Sequence, residues 1–159
     1  MSEERSLIGS TDQLNTLPLQ AHTGALNGTA VDFGPCNDLT FVFNLGTWTD
    51  GSHVVTFEED INGDATWTAI PATCLEGHDR AGVQQLDVAG ASLTIGSAAR
   101  DNTTILVNYQ GLAKKVRVVT TPAGTTTGAV YGVDLWRFRL RFAGMTPVEL
   151  THWNSDPNL

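Results

Sequence analysis

Apolar and polar residues alternate in short runs along most of this chain, and that period of two is the feature that most constrains its fold. Successive side chains of a β-strand point to opposite faces of the sheet, so each run predicts a strand with one buried face. The clearest run spans residues 38–45, whose apolar side carries Leu39, Phe41, Phe43 and Leu45. Val55 and Phe57 alternate with Thr56 and Glu58 in the next run.

Two turn signals separate these runs, Asp50-Gly51 and Asn62-Gly63. Both pairs are typical of two-residue hairpins, because the favoured turn needs positive φ at both of its central residues. We therefore expect a three-stranded meander over residues 38–70, with a two-residue turn at each pair. In that arrangement four side chains share one core: Phe41, Phe43, Val55 and Phe57.

Further alternating runs follow at residues 105–109, 115–118 and 129–135, and no apolar stretch keeps a helical period for more than about a turn. Strands at this spacing predict an all-β fold, an antiparallel β-sandwich or a flattened barrel. The length of 159 residues suits one domain. We assign residues 1–25 to an extended N-terminal arm or lead-in strand, 26–143 to the sandwich domain and 144–159 to a C-terminal extension.

A basic run in the second half of the chain is the candidate partner-binding feature. In residues 137–142 three arginines alternate with Phe138, Leu140 and Phe142, so a strand there would carry the arginines on one face. The candidate binding residues are Lys115, Arg117, Arg137, Arg139 and Arg141. Such a row predicts docking onto an acidic protein surface. The alternative is that these charges only protect a sheet edge from aggregation.

Charge is distributed unevenly along the chain. Residues 1–79 carry twelve acidic and one basic residue, whereas residues 80–159 carry five acidic and eight basic residues. This asymmetry favours self-assembly or docking between complementary surfaces. The net charge of −8 argues against nucleic-acid binding. There is neither a signal-peptide pattern nor an apolar run of membrane-spanning length, so we expect a soluble product of the cytoplasm with no membrane partner.

Groups that could perform chemistry are scattered. Residues 58–64 resemble half of a calcium loop, but the required glycine and glutamate positions hold Ala65 and Pro71. We interpret the cluster as the tip of a hairpin with solvated carboxylates, with an irregular cation site as the alternative. The four histidines show no metal-ligand spacing, and no nucleophile or phosphate motif is present. The chain is therefore predicted not to be an enzyme and to need no cofactor or metal.

Two residue types leave alternatives open. Cys36 and Cys74 match neither a metal-binding nor a redox motif, so free thiols are expected in a reduced compartment, and a disulfide would require the fold to bring them together. The four tryptophans could form a platform for stacking sugars, or could pack in the core or at an interface. They are Trp48, Trp67, Trp136 and Trp153.

Residues 26–135 resemble a group of small structural proteins of tailed bacteriophages and prophages. Four segments carry the resemblance: LTFVFNLGTWTDGSHVVTFEED, TWTAIP, VNYQG and KKVRVVTTPAGTTTGAVYGV. The resemblance implies a virion component, with a capsid decoration (cement) protein on the outside of the head as the leading expectation. Its implied partner is the major capsid protein, and we expect a homo-oligomer, with a trimer as the first guess. A neck or tail component and a carbohydrate-binding adsorption module are the alternatives.

Overall fold

The computed structural model describes residues 11–33, 38–87 and 91–138. Its strands are β1 (Thr11–His22), β2 (Leu26–Asn27), β3 (Val31–Asp32), β4 (Asp38–Trp48), β5 (Ser52–Asp60), β6 (Thr68–Ala69), β7 (Leu75–Asp79), β8 (Ser92–Ile95), β9 (Thr104–Tyr109), β10 (Lys115–Ala123) and β11 (Ala129–Phe138). Two single 3₁₀ turns, Ala72–Cys74 and Ala98–Arg100, are the helical elements of these ranges.

The strands form two antiparallel sheets that pack face to face. Sheet I has the order β1-β11-β4-β9-β7. Sheet II has the order β2-β10-β5-β6, with β3 also paired to β10 and β8 also paired to β5. The predicted sandwich is confirmed, and the described strands do not close into a flattened barrel.

The core lies between the sheets and follows the predicted alternation. Phe41 and Phe43 of β4 and Val55 of β5 have no exposed surface, and Phe57 is 1% exposed. The ring of Phe57 packs against both β4 phenylalanines, with centroid distances of 5.2 Å to Phe41 and 5.8 Å to Phe43. The four residues predicted to share a core do so, because the period of two fixes which face of each strand is apolar.

The two turn signals do not form the predicted two-residue hairpins. β4 pairs with β11 and β9 in sheet I, whereas β5 pairs with β10, β6 and β8 in sheet II, so the chain changes sheets at Asp50-Gly51. β5 and β6 do form a hairpin, but its loop spans seven residues, 61–67. Gly51 and Gly63 keep the predicted positive φ, at 81° and 74°. That dihedral is needed at each bend, but it does not decide which strands pair.

Of the two predictions for residues 1–25, an extended arm or a lead-in strand, the strand is the one found in the described residues, where β1 is part of the sandwich. β1 pairs with β11 from Thr11↔Phe138 to His22↔Ala129, with irregular register between Asn15 and Gln20. Leu17 is fully buried in the core. The sequence did not predict this strand clearly, because its register shifts interrupt the alternation of apolar and polar residues. The strand also contains many polar residues and Pro18. The C-terminal extension, residues 144–159, lies outside the described residues.

Candidate partner-binding surface

Arg137 lies on the opposite side of β11 from the one predicted. The register between β11 and β4 runs without a shift from Tyr131↔Leu45 to Phe138↔Asp38, and it places Arg137 opposite the buried Leu39. Arg137 therefore shares the core-facing side of β11 with Leu135. For Arg137 to face outward as predicted, the alternation of β11 would have to shift by one residue between Leu135 and Phe138, and the pairing shows no such shift. Arg139 and Arg141 lie outside the described residues.

Two of the predicted basic residues meet at Asp32, at one end of the sandwich. Nη1 of Arg137 donates a hydrogen bond of 2.7 Å to the carbonyl oxygen of Asp32. Nζ of Lys115 lies 4.0 Å from Oδ1 of the same residue, and the two side chains are 39% and 72% exposed. An ion pair this exposed and this long contributes little to stability. Asp32 of β3 thus contacts Arg137 of sheet I and lies near Lys115 of sheet II. Lys115 remains accessible to a partner.

Arg117 is bound within the chain instead. Its Nη2 and Nε both contact Oε2 of Glu58, the residue opposite it on β5, at 2.6 and 2.7 Å. The guanidinium also lies 4.2 Å from the centroid of the Trp67 ring, in a cation–π contact. Because its side chain is only 18% exposed, Arg117 is far less accessible than Lys115.

The acidic cluster at residues 58–64 is also used largely by the protein itself. The carboxylate of Asp60, which is fully buried, accepts hydrogen bonds from the backbone N–H groups of Gly63, Asp64 and Ala65 at 2.7 to 3.2 Å. Oε2 of Glu59 accepts a hydrogen bond of 2.5 Å from the Tyr109 hydroxyl. Burial, and secondly this bond, raise the pKa of Tyr109 well above its ordinary value. The cluster does lie at the β5–β6 hairpin, but the prediction that its carboxylates are solvated is wrong for Glu59 and Asp60, which are buried and bonded within the chain.

The same end of the sandwich carries exposed apolar side chains that the sequence analysis missed. Leu112, in the link between β9 and β10, is 94% exposed, and Ile61, which follows β5, is 57% exposed. Lys114 is exposed beside them. We name this surface the loop end and define it by loops 61–67 and 110–114 with Asp32, Lys115 and Arg137. The only sequence signal was a leucine between Gly111 and Ala113, outside the alternating runs.

A network of polar groups ties the strands together at the other end. The Asp50 carboxylate accepts hydrogen bonds from the N–H groups of Gly128, Thr127 and Thr126, and these bonds, in that order, hold its pKa below the ordinary value. Nε2 of His53 contacts the Asp50 carbonyl oxygen, and Nδ1 contacts the Tyr131 hydroxyl at 3.3 Å. Asp50 therefore links the β4–β5 connection to the β10–β11 connection.

The described residues supply some further facts about possible sites. Cys74 is a half-buried free thiol, and Cys36 lies outside the described residues. Within residues 11–33, 38–87 and 91–138, His, Cys, Asp and Glu side chains form no group of three or more that could hold a metal ion. No helix in this part of the chain has the length and apolar character needed to cross a membrane.

Comparisons with known proteins give one structural likeness. No protein-family model and no curated protein matches the chain. Among solved structures, it is similar to the SPBc2 prophage-derived protein YomS, with a TM-score of 0.46 and 15% sequence identity. The match covers 80% of this chain and 93% of that chain.

Proposed function

We propose that this protein is a structural component of a tailed-bacteriophage virion and that it decorates the capsid, binding the major capsid protein on the outside of the head. The observation that carries the proposal is the arrangement of the two longest segments that resemble phage structural proteins. They contain β4, β5 and β10 with the first half of β11, which pair as β4–β11 in sheet I and β5–β10 in sheet II. Asp50 joins both pairs. The resembling residues thus form the centre of the fold.

A decoration protein stabilises a capsid through binding alone. A ligand that binds only the assembled lattice stabilises it by about 2.7 kcal/mol per site when its free concentration is a hundred times its Kd. We propose a homo-oligomer, with a trimer as the leading arrangement, because one oligomer could then contact several capsid subunits. No catalytic step is required, and we propose that the protein is not an enzyme and uses no cofactor.

The loop end is the proposed attachment surface. Of the described residues predicted to bind a partner, Lys115 remains accessible there. Arg139 and Arg141 lie outside the described residues and are proposed as binding residues from the sequence alone. Arg117 contributes to the fold through Glu58 and Trp67. A capsid surface that carries carboxylates would match these cations.

A sugar-binding module receives no support from the described tryptophans. One face of the Trp67 ring is covered by Arg117, and Nε1 of Trp48 donates to the Gly51 carbonyl while its ring packs on the core. Stacking on a sugar needs a free aromatic face. Trp136 is 37% exposed on the outer side of β11, but no aromatic partner is described beside it.

The test is attachment of the purified protein to phage heads that lack it, measured by co-sedimentation over a range of salt concentrations. We expect saturable binding that weakens as salt rises. A variant with Lys115, Arg139 and Arg141 all changed to Gln should bind less tightly, whereas Arg80→Gln, at an exposed site outside the loop end, should bind normally. Binding to isolated necks or tails but not to heads would refute the decoration role.

A further inference from the structure

Hydrogen bonds hold three of the five residues in the short loop 110–114 between β9 and β10. The N–H of Gln110 donates to the Cys74 carbonyl at 2.9 Å, and the N–H of Lys114 donates to the Asp60 carbonyl at 3.1 Å. Between them, the N–H of buried Ala113 donates to the Tyr109 hydroxyl at 3.1 Å. The Lys114 carbonyl in turn accepts from Phe33 at 2.7 Å. The loop is therefore fixed at both ends and in its middle.

Gly111 shows how closely this loop packs on the strand before it. A Cβ atom at this position would overlap the Tyr109 hydroxyl and ring, so no larger residue fits without moving Tyr109. The bond between Tyr109 and Glu59 holds the ring in place. Leu112, the next residue, is left pointing into solvent from a rigid base, with 94% of its surface exposed.

The neighbouring loop is fixed in a similar way. The Asp60 carboxylate binds three N–H groups of residues 63–65, and the side chain of Lys114 passes over Gly63. Ile61 directly follows Asp60, whose carbonyl oxygen accepts from the N–H of Lys114, so the Ile61 backbone lies next to the end of the 110–114 loop. Single exposed apolar residues are common on protein surfaces. Two exposed apolar residues on adjacent, hydrogen-bonded loops favour binding more than isolated ones do, because little conformational entropy is lost when a partner binds such loops.

We propose that Leu112, with Ile61 beside it, is an apolar anchor that inserts into a pocket of the capsid protein whose rim carries carboxylates. Charge supports an acidic rim on the side of Lys114, which is exposed in the same loop as Leu112 and is followed by Lys115, 39% exposed. Two exposed acids, Asp32 and Asp64, lie elsewhere on the loop end. This inference rests on the proposed decoration function, and it specifies which residues contact the capsid protein. In protein interfaces a few central, fully desolvated residues usually carry most of the binding energy.

The test compares full-length Leu112→Ala and Leu112→Asp with the wild type for attachment to heads that lack the protein. We expect about 10- to 100-fold weaker binding for Leu112→Ala, from the lost burial of one leucine side chain, and a larger loss for Leu112→Asp. Lys114→Glu with Lys115→Glu should also weaken attachment. The melting temperatures of the two Leu112 variants should equal that of the wild type, because Leu112 contacts solvent rather than the core.

Val83→Asp is the matched control, since Val83 is 56% exposed on a different loop and should tolerate the change. If the wild type attaches and Leu112→Asp attaches equally well, the anchor is refuted and the decoration function is not. The same holds if Val83→Asp weakens attachment as much as Leu112→Asp does. A wild-type protein that does not attach to heads would refute the decoration function and, with it, the partner named here.

Discussion

Replacing Tyr109 by Phe should destabilise the protein strongly, although only one oxygen atom is removed. The Tyr109 hydroxyl donates to the Glu59 carboxylate at 2.5 Å and accepts from the Ala113 N–H at 3.1 Å. Glu59 is 8% exposed and Ala113 is 3% exposed. The substitution therefore leaves one carboxylate and one backbone N–H, both buried, without this partner.

The expected cost follows from those two groups. A buried donor or acceptor that loses its partner costs about 1–3 kcal/mol, and more when it is charged. Ala113 should contribute at the lower end of that range and Glu59 at or above the upper end, so we expect a total of about 3–5 kcal/mol. This is a large part of the 5–15 kcal/mol by which domains of this kind are stable.

Urea denaturation measures the change, and a double-mutant cycle identifies its source. If the buried charge dominates, Tyr109→Phe should cost clearly less in a Glu59→Gln background than in the wild type. Tyr131→Phe is a control, because the partners of that hydroxyl, Thr120 and His53, include no carboxylate, and about 1–2 kcal/mol is expected. A cost below about 1 kcal/mol for Tyr109→Phe, or strict additivity with Glu59→Gln, would contradict the reasoning.

Two further predictions concern the core and the Asp50 network. Phe43→Ala should cost about 3–5 kcal/mol in urea denaturation, because a fully buried ring leaves a cavity; a cost below about 1 kcal/mol would be inconsistent with its position. Asp50 has a pKa below 3.8 in the folded protein, so its carboxylate stabilises the fold above about pH 4, and this contribution is lost as the pH falls through the folded-state value. Asp50→Asn should therefore flatten the acid limb of a stability–pH profile, and an unchanged limb would show that the carboxylate is not responsible.

The sequence predicted the strands and their buried faces well, because both depend on local alternation. It failed on the pairing of β4 and β5, since Asp50-Gly51 is a local turn signal, while the residues with which these strands pair in β11 and β10 lie more than 50 positions further along the chain. The phase of Arg137 was missed for a related reason. The apolar pattern of residues 138–142 suggested that Arg137 faces away from the core, but the pairing with β4 has no register shift from Tyr131 to Phe138, so Arg137 keeps the side of Leu135.

The candidate surface was only partly predictable. Lys115 and Arg137 could be selected by charge, but their convergence depends on Asp32 and on both sheets. The cluster at residues 58–64 looked solvated in sequence, whereas Glu59 and Asp60 are buried and bonded. Leu112 was missed because a leucine becomes informative only when its loop is known to be fixed and its side chain exposed.

The position of β11 has a consequence for how the protein can be made. β11 is the last described strand in the sequence, yet it lies between β1 and β4 and supplies the sheet I neighbour of β1. The paired residues of β1 and β11 are more than 100 positions apart. During translation β1 is synthesised before β11, so it has no strand partner in sheet I until residues 129–138 have been synthesised. Sheet I can therefore be completed only after β11 has been synthesised, and we expect folding to be slow because it depends on strand pairing between distant residues.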